Sequence, residues 1–101
     1  MKIERVECIP MVYHMEHPIY SGTGRCDARQ LLLVRIYADN GMVGLGEAAP
    51  YGGPVQTTQE VIEREIAPML IGEDPANTER IWHKCYYTHF QHARGGIFIS
   101  A

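Results

Sequence analysis

The chain has no closely spaced cysteine pair, no long apolar run and no excess of basic residues. Its three cysteines, Cys8, Cys26 and Cys85, lie far apart and form no C-x-x-C pair. This spacing disfavours a disulfide framework and indicates reduced thiols, as in the cytoplasm. No stretch approaches the roughly 20 apolar residues of a membrane-spanning helix. The N-terminus is charged where a signal peptide needs an apolar run, so we expect no membrane partner.

The charge balance is slightly acidic, with 9 Lys and Arg residues against 12 Asp and Glu residues and a net charge of −3. Binding to a phosphate backbone requires a clustered basic surface, so we expect no nucleic-acid partner. The 101 residues, of which 46% are hydrophobic, suffice for a single core and not for two. No internal repeat or low-complexity segment is present. Composition therefore predicts one compact domain.

The first half of the chain has the pattern of β-strands. Residues 2–12 mix β-branched and charged residues, residues 30–38 are apolar enough for a central strand, and residues 42–48 follow. The second and third of these segments are separated by Asp39-Asn40-Gly41. Asn-Gly is a strong hairpin signal because both residues tolerate positive φ. Glycines alternate with apolar residues in the third segment, which predicts close packing of another backbone. We expect a three-stranded antiparallel meander.

The second half predicts helices, which makes the fold class α+β. Helical structure is predicted to begin after Gly52-Gly53-Pro54, and Thr57 and Glu60 have the spacing of a capping box. Pro68 is expected to end or kink that helix, and Gly72 to stop it. Residues at helical spacing form its apolar stripe: Ile62, Ile66, Met69 and Leu70.

A second helix is predicted from about Pro75 to about His89, because Asp74-Pro75 resembles a capping acid followed by proline at the first helical position. Its aromatic residues Trp82, Tyr86 and Tyr87 are interpreted as core or domain-interface side chains. After Gly95-Gly96 the chain opens an apolar segment that does not complete two helical turns. We therefore expect residues 1–96 to be one domain and residues 97–101 the start of another helix. We also expect an apolar surface at Ile97, Phe98 and Ile99.

Two long loops are predicted at 14–29 and 49–56, and a meander places both at the same end of the sheet. Glycines and aromatic residues in both favour a lid or specificity surface, although simple connectors have the same composition.

Two other sets of residues give weaker indications of a functional site. Cys85, His89 and His92 have the spacing of metal ligands on a helix but no fourth partner. Glu47 follows a strand without a partner carboxylate, so a structural role is favoured over that of a catalytic base.

The sequence resembles the N-terminal capping domain of the enolase superfamily, in its mandelate racemase and muconate lactonizing enzyme branch. The resemblance covers essentially the whole chain, and several segments match in order and spacing. These segments are MKIERVE at 1–7, LLVRI at 32–36, DNGMVGLGEA at 39–48, IAPMLIGEDP at 66–75, RIW at 80–82 and RGGIFISA at 94–101.

The resemblance implies that a (β/α)-barrel follows the capping domain and holds both the magnesium ligands and the base that removes a proton α to a carboxylate. It implies no catalytic or metal-binding residue in this chain, which alone would be inactive. The two loops would shape specificity for a small carboxylate substrate, in a homo-oligomeric enzyme that is a sugar-acid dehydratase, a racemase or a cycloisomerase. The residues placed there by loop position are His17, Tyr20, Ser21, Arg25 and Tyr51. A free-standing α+β binding or oligomerisation module without chemistry is the alternative.

Overall fold

The structure, a computed structural model, describes residues 1–21, 24–48, 54–88, 98 and 101. For residues 15, 17–21 and 24–29 it describes the backbone alone. Tyr51, His89 and His92 lie outside the described residues, as do Ile97 and Ile99. The predictions made for those five side chains therefore stay predictions.

Three antiparallel strands form one sheet in the order β1-β2-β3: β1 is Ile3–Ser21, β2 is Gly24–Ala38 and β3 is Val43–Ala48. The turn between β2 and β3 is the predicted one. Gly41 has a φ of 88°, which a side chain would strain, and its N–H donates to the Ala38 carbonyl at 3.1 Å. The predicted meander is confirmed.

The first predicted loop is wrong, because β1 and β2 continue through it as a two-stranded ribbon. His14 pairs with Ala28 and Ile19 pairs with Cys26. Between these pairs β1 advances 19 − 14 = 5 residues and β2 advances 28 − 26 = 2, so β1 carries three extra residues in a bulge. Pro18 falls within this bulged stretch.

The helical half begins with one nearly continuous helix: α1 is Val55–Val61, a π-helical turn covers Ile62–Ile66, and α2 is Ala67–Leu70. Pro68 lacks an N–H and cannot continue the regular hydrogen-bond ladder, and the wider turn precedes it. Pro68 does not end the helix, which continues for two further residues to Leu70. The helix begins directly after Pro54, as predicted. The capping box is wrong, because Thr57 lies inside the helix and no side chain of the first turn caps it.

The last helix, α3, is Thr78–Thr88 and starts three residues later than predicted. Asp74 accepts a hydrogen bond from the Ala76 N–H at 2.9 Å through its side chain, and one from the Asn77 N–H at 3.0 Å through its carbonyl. This local turn uses the capping acid before the helix begins. Gly72 has a φ of 86° and terminates the preceding helix, as predicted. Within the described residues no helix is long and apolar enough to cross a membrane.

The core lies between the sheet and α1. Leu32 from β2 and Ala48 from β3 pack with Val55 and Ile62, and none of the four is more than 3% exposed. The predicted apolar stripe is confirmed, with Ile62 and Leu70 buried and Ile66 and Met69 half-buried. The predicted close approach at the glycines of β3 is wrong: a Cβ on either one would meet nothing within 4 Å. A groove of about 340 Å³ runs past them instead.

Two aromatic residues of α3 lie outside the core, so the core interpretation is wrong for them and the domain-interface interpretation stays a prediction. Trp82 is 52% exposed and Tyr87 is 70% exposed. Trp82 stacks on Tyr86 with 5.2 Å between ring centroids, so the helix satisfies its aromatic residues mainly against each other. The exposure predicted for Phe98 is also wrong, since Phe98 is buried and lines an apolar groove between the sheet and α3.

Candidate functional site

The ribbon formed by β1 and β2 carries four of the five predicted site residues. His17, Tyr20 and Ser21 belong to β1, and Arg25 belongs to β2. The backbone of Tyr20 pairs directly with that of Arg25, and Ser21 pairs with Gly24. His17 falls in the bulged stretch between the paired segments. The fold therefore brings Tyr20 and Arg25 together at the level of the backbone.

The foot of this ribbon lies beside the two ends of the second predicted loop. Val12 pairs with Gln30 at the foot, and the neighbouring Leu32 pairs with Ala48, the last residue of β3. The chain returns at Val55, whose N–H donates to the Gln30 side-chain oxygen at 2.6 Å. Ala48 and Val55, on either side of the segment from 49 to 53, therefore both lie at the foot of the ribbon. The common end predicted from the meander is confirmed for these flanking residues.

Gln30 is a positioning residue that the sequence analysis missed. Its Oε1 atom accepts from the first N–H of α1, a group that has no partner inside the helix. The two residues are 25 positions apart, so no local pattern reveals the contact. The hydrogen bond ties the start of the helix to the strand that leads into the ribbon, and it takes the place of the predicted cap at Thr57.

A charged cluster fixes α3 against the end of α2. The Lys84 ammonium donates to the Met69 carbonyl at 2.9 Å and to Glu73 Oε1 at 3.0 Å, and Arg80 Nε donates to Glu73 Oε2 at 3.2 Å. These two cations hold the pKa of the Glu73 carboxyl below its usual value, with Lys84 the larger influence. The Glu73 carbonyl also accepts from the Ile3 N–H at 2.9 Å. The cluster therefore links both helices to the beginning of the sheet.

A second polar network covers the face of the sheet that points away from the helices. The Arg5 guanidinium lies 3.9 Å from the centroid of the Tyr37 ring. The Tyr37 hydroxyl donates to Glu7 Oε1 at 2.9 Å, and Arg35 approaches the same carboxylate at 3.6 Å. These contacts join side chains of β1 and β2 across this face of the sheet.

The described residues offer little for catalysis. Among them, no three His, Cys, Asp or Glu side chains converge in a way that could hold a metal ion, so they do not fit a magnesium site. Burial raises the pKa of the Cys85 thiol, and burial together with the nearby Glu63 raises that of Cys8. Both thiols therefore stay protonated near neutral pH, whereas the thiolate is the nucleophile and metal ligand.

Comparison with known proteins agrees with this geometry. Residues 5–99 match the mandelate racemase / muconate lactonizing enzyme N-terminal domain. The chain is 33% identical to D-galactarolactone cycloisomerase from Agrobacterium fabrum over its whole length, which is 26% of that protein. It is 34% identical to D-galactonate dehydratase from Verminephrobacter eiseniae over 69% of the chain and 18% of the relative.

A solved structure shows the same fold. The dipeptide epimerase from Enterococcus faecalis, determined with Mg and the dipeptide L-Leu-L-Tyr, superposes with a TM-score of 0.79 and 25% identity, over 99% of this chain and 30% of that one. In each comparison the chain spans less than a third of the longer protein. With its meander, its helical layer and a family match over residues 5–99, the chain belongs to the mandelate racemase/muconate lactonizing enzyme family, as its N-terminal domain.

Proposed function

We propose that this chain is the capping and specificity domain of a magnesium-dependent enzyme that removes a proton α to a carboxylate. The observation that carries the proposal is the family match over residues 5–99, combined with relatives several times longer than this chain. The catalytic groups and the metal ligands would belong to a barrel domain that follows. Magnesium bound there would stabilise the negative charge that develops on the substrate carboxylate.

The role of this domain in that enzyme is to close over the substrate and select it. The ribbon and the flanks of the 49–53 segment share one end of the sheet, which is the arrangement expected of a composite lid. Arg25 would pair with a carboxylate through its planar guanidinium. Tyr20 and Tyr51 would exclude water and pack on the substrate, while His17 and Ser21 would supply hydrogen bonds.

The substrate class we propose is a small hydroxylated carboxylic acid, with dehydration or isomerisation as the outcome. Two relatives named for galactarolactone and galactonate chemistry support this choice. The wide separation of the three cysteines supports a reducing compartment, the cytoplasm, as the place of action. A homo-oligomeric assembly is part of the same proposal.

The test is proton exchange by the whole protein in D₂O, followed by NMR across a panel of sugar acids, with magnesium and with excess chelator. We expect at least one acid to lose its α-proton signal in the presence of magnesium, and the chelator to abolish the exchange. If no acid in the panel exchanges with magnesium present, the proposal is overturned. The free-standing binding module then becomes the better reading.

A further inference from the structure

The ribbon begins where the sheet loses its third strand. Ala48, the last residue of β3, pairs with Leu32, and beyond that pair β2 is bonded to β1 alone. Side chains alternate between the two faces of a strand, so Gln30 is the first residue past Leu32 on the helix side. A two-stranded ribbon is only marginally stable by itself, so its direction depends on what holds it at this point.

Gln30 makes the contact that holds the ribbon. Its Oε1 atom accepts the Val55 N–H at 2.6 Å, and Val55 is buried in the core. Among the ribbon side chains that the structure describes, no other forms a hydrogen bond to the helical layer. Gln30 is itself exposed, so it adds little apolar burial. Its contribution is therefore the attachment of β2 to a fixed point of the core.

The two residues proposed to select the substrate lie far along the ribbon from this anchor. Arg25 precedes Gln30 in β2 by 30 − 25 = 5 residues, which is about 17 Å of extended strand. Over that length a tilt of about 5° at the foot moves the Arg25 backbone by about 1.5 Å. Tyr20 is paired with Arg25 and moves with it. A misplacement of about 1 Å at a site can cost about 100-fold in rate.

We propose that Gln30 is a positioning residue for substrate recognition. By tying β2 to the first N–H of α1, it sets the angle at which the ribbon presents Tyr20 and Arg25 to a carboxylate substrate. The inference rests on the proposed function, in which these two residues select the acid. Gln30 acts through the ribbon, without contact to the substrate. Loss of the anchor therefore weakens binding of the acid and leaves the proton-transfer chemistry of the barrel intact.

Kinetics of the whole protein with the acid that it accepts test this role. Gln30→Met removes the acceptor with little change in side-chain length. Gln30→Glu keeps an acceptor oxygen and places a negative charge at the helix start, where it is favoured. We expect Gln30→Met to raise KM about 10- to 100-fold with kcat within about twofold, and Gln30→Glu to retain the parent values. An unchanged KM in Gln30→Met, or a fall in kcat alone, overturns the inference.

Lys84→Met is the matched control, because it also replaces a polar end group by an unbranched apolar one. It breaks the hydrogen bonds to Met69 and Glu73, near Ile3 and so at the opposite end of β1 from the ribbon. We expect Lys84→Met to lower stability and leave KM unchanged. An equal rise of KM in Lys84→Met and Gln30→Met would attribute both effects to lost stability and overturn the inference.

A double variant shows whether Gln30 acts through Arg25. If it does, Arg25→Ala already removes most of what the anchor protects, and the two changes are not independent. We expect Gln30→Met combined with Arg25→Ala to raise KM above that of Arg25→Ala by less than the factor that Gln30→Met gives alone. Full multiplication of the two factors overturns the proposed route.

Amide hydrogen exchange of the whole protein without substrate separates this inference from the proposed function. We expect Gln30→Met to speed exchange in the paired segments of the ribbon, and Gln30→Glu and Lys84→Met to leave exchange there as in the parent. If the parent acts on no acid, the proposed function fails, whereas faster ribbon exchange in Gln30→Met still supports the anchor. Unchanged ribbon exchange in Gln30→Met overturns the inference whatever the enzyme acts on.

Discussion

The Oε1 atom of Gln30 lies 2.6 Å from the backbone nitrogen of Val55 and accepts its N–H. This contact joins the strand that leads into the ribbon to the first residue of α1. Val55 itself is buried in the core, so the hydrogen bond fixes a junction on which packing also depends. The strand that leads into the ribbon and the helix that follows the 49–53 segment are held together at this point.

Removing the Gln30 acceptor should destabilise the domain. Gln30→Ala leaves the first N–H of α1 without its partner, and loss of a helix cap costs about 0.5–2 kcal/mol. The measurement is urea unfolding followed by circular dichroism. Thr57→Ala is the matched control, because Thr57 lies inside the helix and should tolerate alanine. A larger loss in Thr57→Ala than in Gln30→Ala would restore the capping box predicted from sequence and contradict the structure.

Neighbouring leucines of β2 should differ sharply in their effect on stability. Leu32 is fully buried against the helix layer, so Leu32→Ala should lower the free energy of unfolding by about 2–5 kcal/mol. Leu33 points to the opposite face and is half-buried, so Leu33→Ala should cost distinctly less. Urea unfolding of both variants provides the measurement. Similar losses at the two positions would mean that the strand sits in a different register.

Glu73 should make stability depend on pH. Its pKa in the folded state lies below the ordinary carboxyl value because Lys84 and Arg80 donate to it. A lowered pKa stabilises the fold above the ordinary carboxyl pKa, and that contribution disappears as pH falls through the folded value. Glu73→Gln should therefore lower the melting temperature at neutral pH and converge with the parent in acid.

The control for Glu73 is Glu60→Gln, which breaks an exposed pair with Arg64 one helical turn away. An exposed pair of this kind contributes about 0.3–0.5 kcal/mol. A constant difference between Glu73→Gln and the parent from neutral to acid pH would show that the carboxylate charge does not matter. The charged cluster around Glu73 would then stabilise the fold only through the packing of its side chains.

The sequence predicted those features that depend on local chemistry. The hairpin at Asn40-Gly41, the stop at Gly72 and the apolar stripe of the first helix each follow from residues close together in the chain, and each is confirmed. The predictions that failed concern contacts between residues that are far apart in the chain. Gln30 replaces Thr57 as the cap from 25 positions away. Residues 14–29 have loop-like composition, but backbone pairing between β1 and β2 needs no particular side chains and extends the strands through them.

The 101-residue chain on its own should show neither turnover nor a tight magnesium site. Magnesium requires several oxygen ligands in a near-octahedral array, and no group of three candidate ligands forms among the described residues. We expect isothermal titration with magnesium to give no stoichiometric binding, and we expect no α-proton exchange on any sugar acid. Stoichiometric binding at micromolar affinity would place the metal site in this domain and contradict the proposed division of labour.

Arg25 should determine which acid the whole enzyme accepts. A guanidinium that pairs with the substrate carboxylate in both ground and transition states contributes binding energy, so Arg25→Ala should raise KM or shift the preferred acid. Exchange of the α-proton in a bound substrate should remain detectable, because the base lies elsewhere.

Arg64→Ala is the control for Arg25→Ala, since the Arg64 guanidinium is exposed on the helix and pairs with Glu60. Unchanged KM and unchanged preference in Arg25→Ala across the panel would mean that Arg25 merely pairs at the surface, a contact worth about 0–1 kcal/mol. Loss of exchange with every acid at saturating concentration would instead make Arg25 essential to the chemical step and contradict its assignment to specificity.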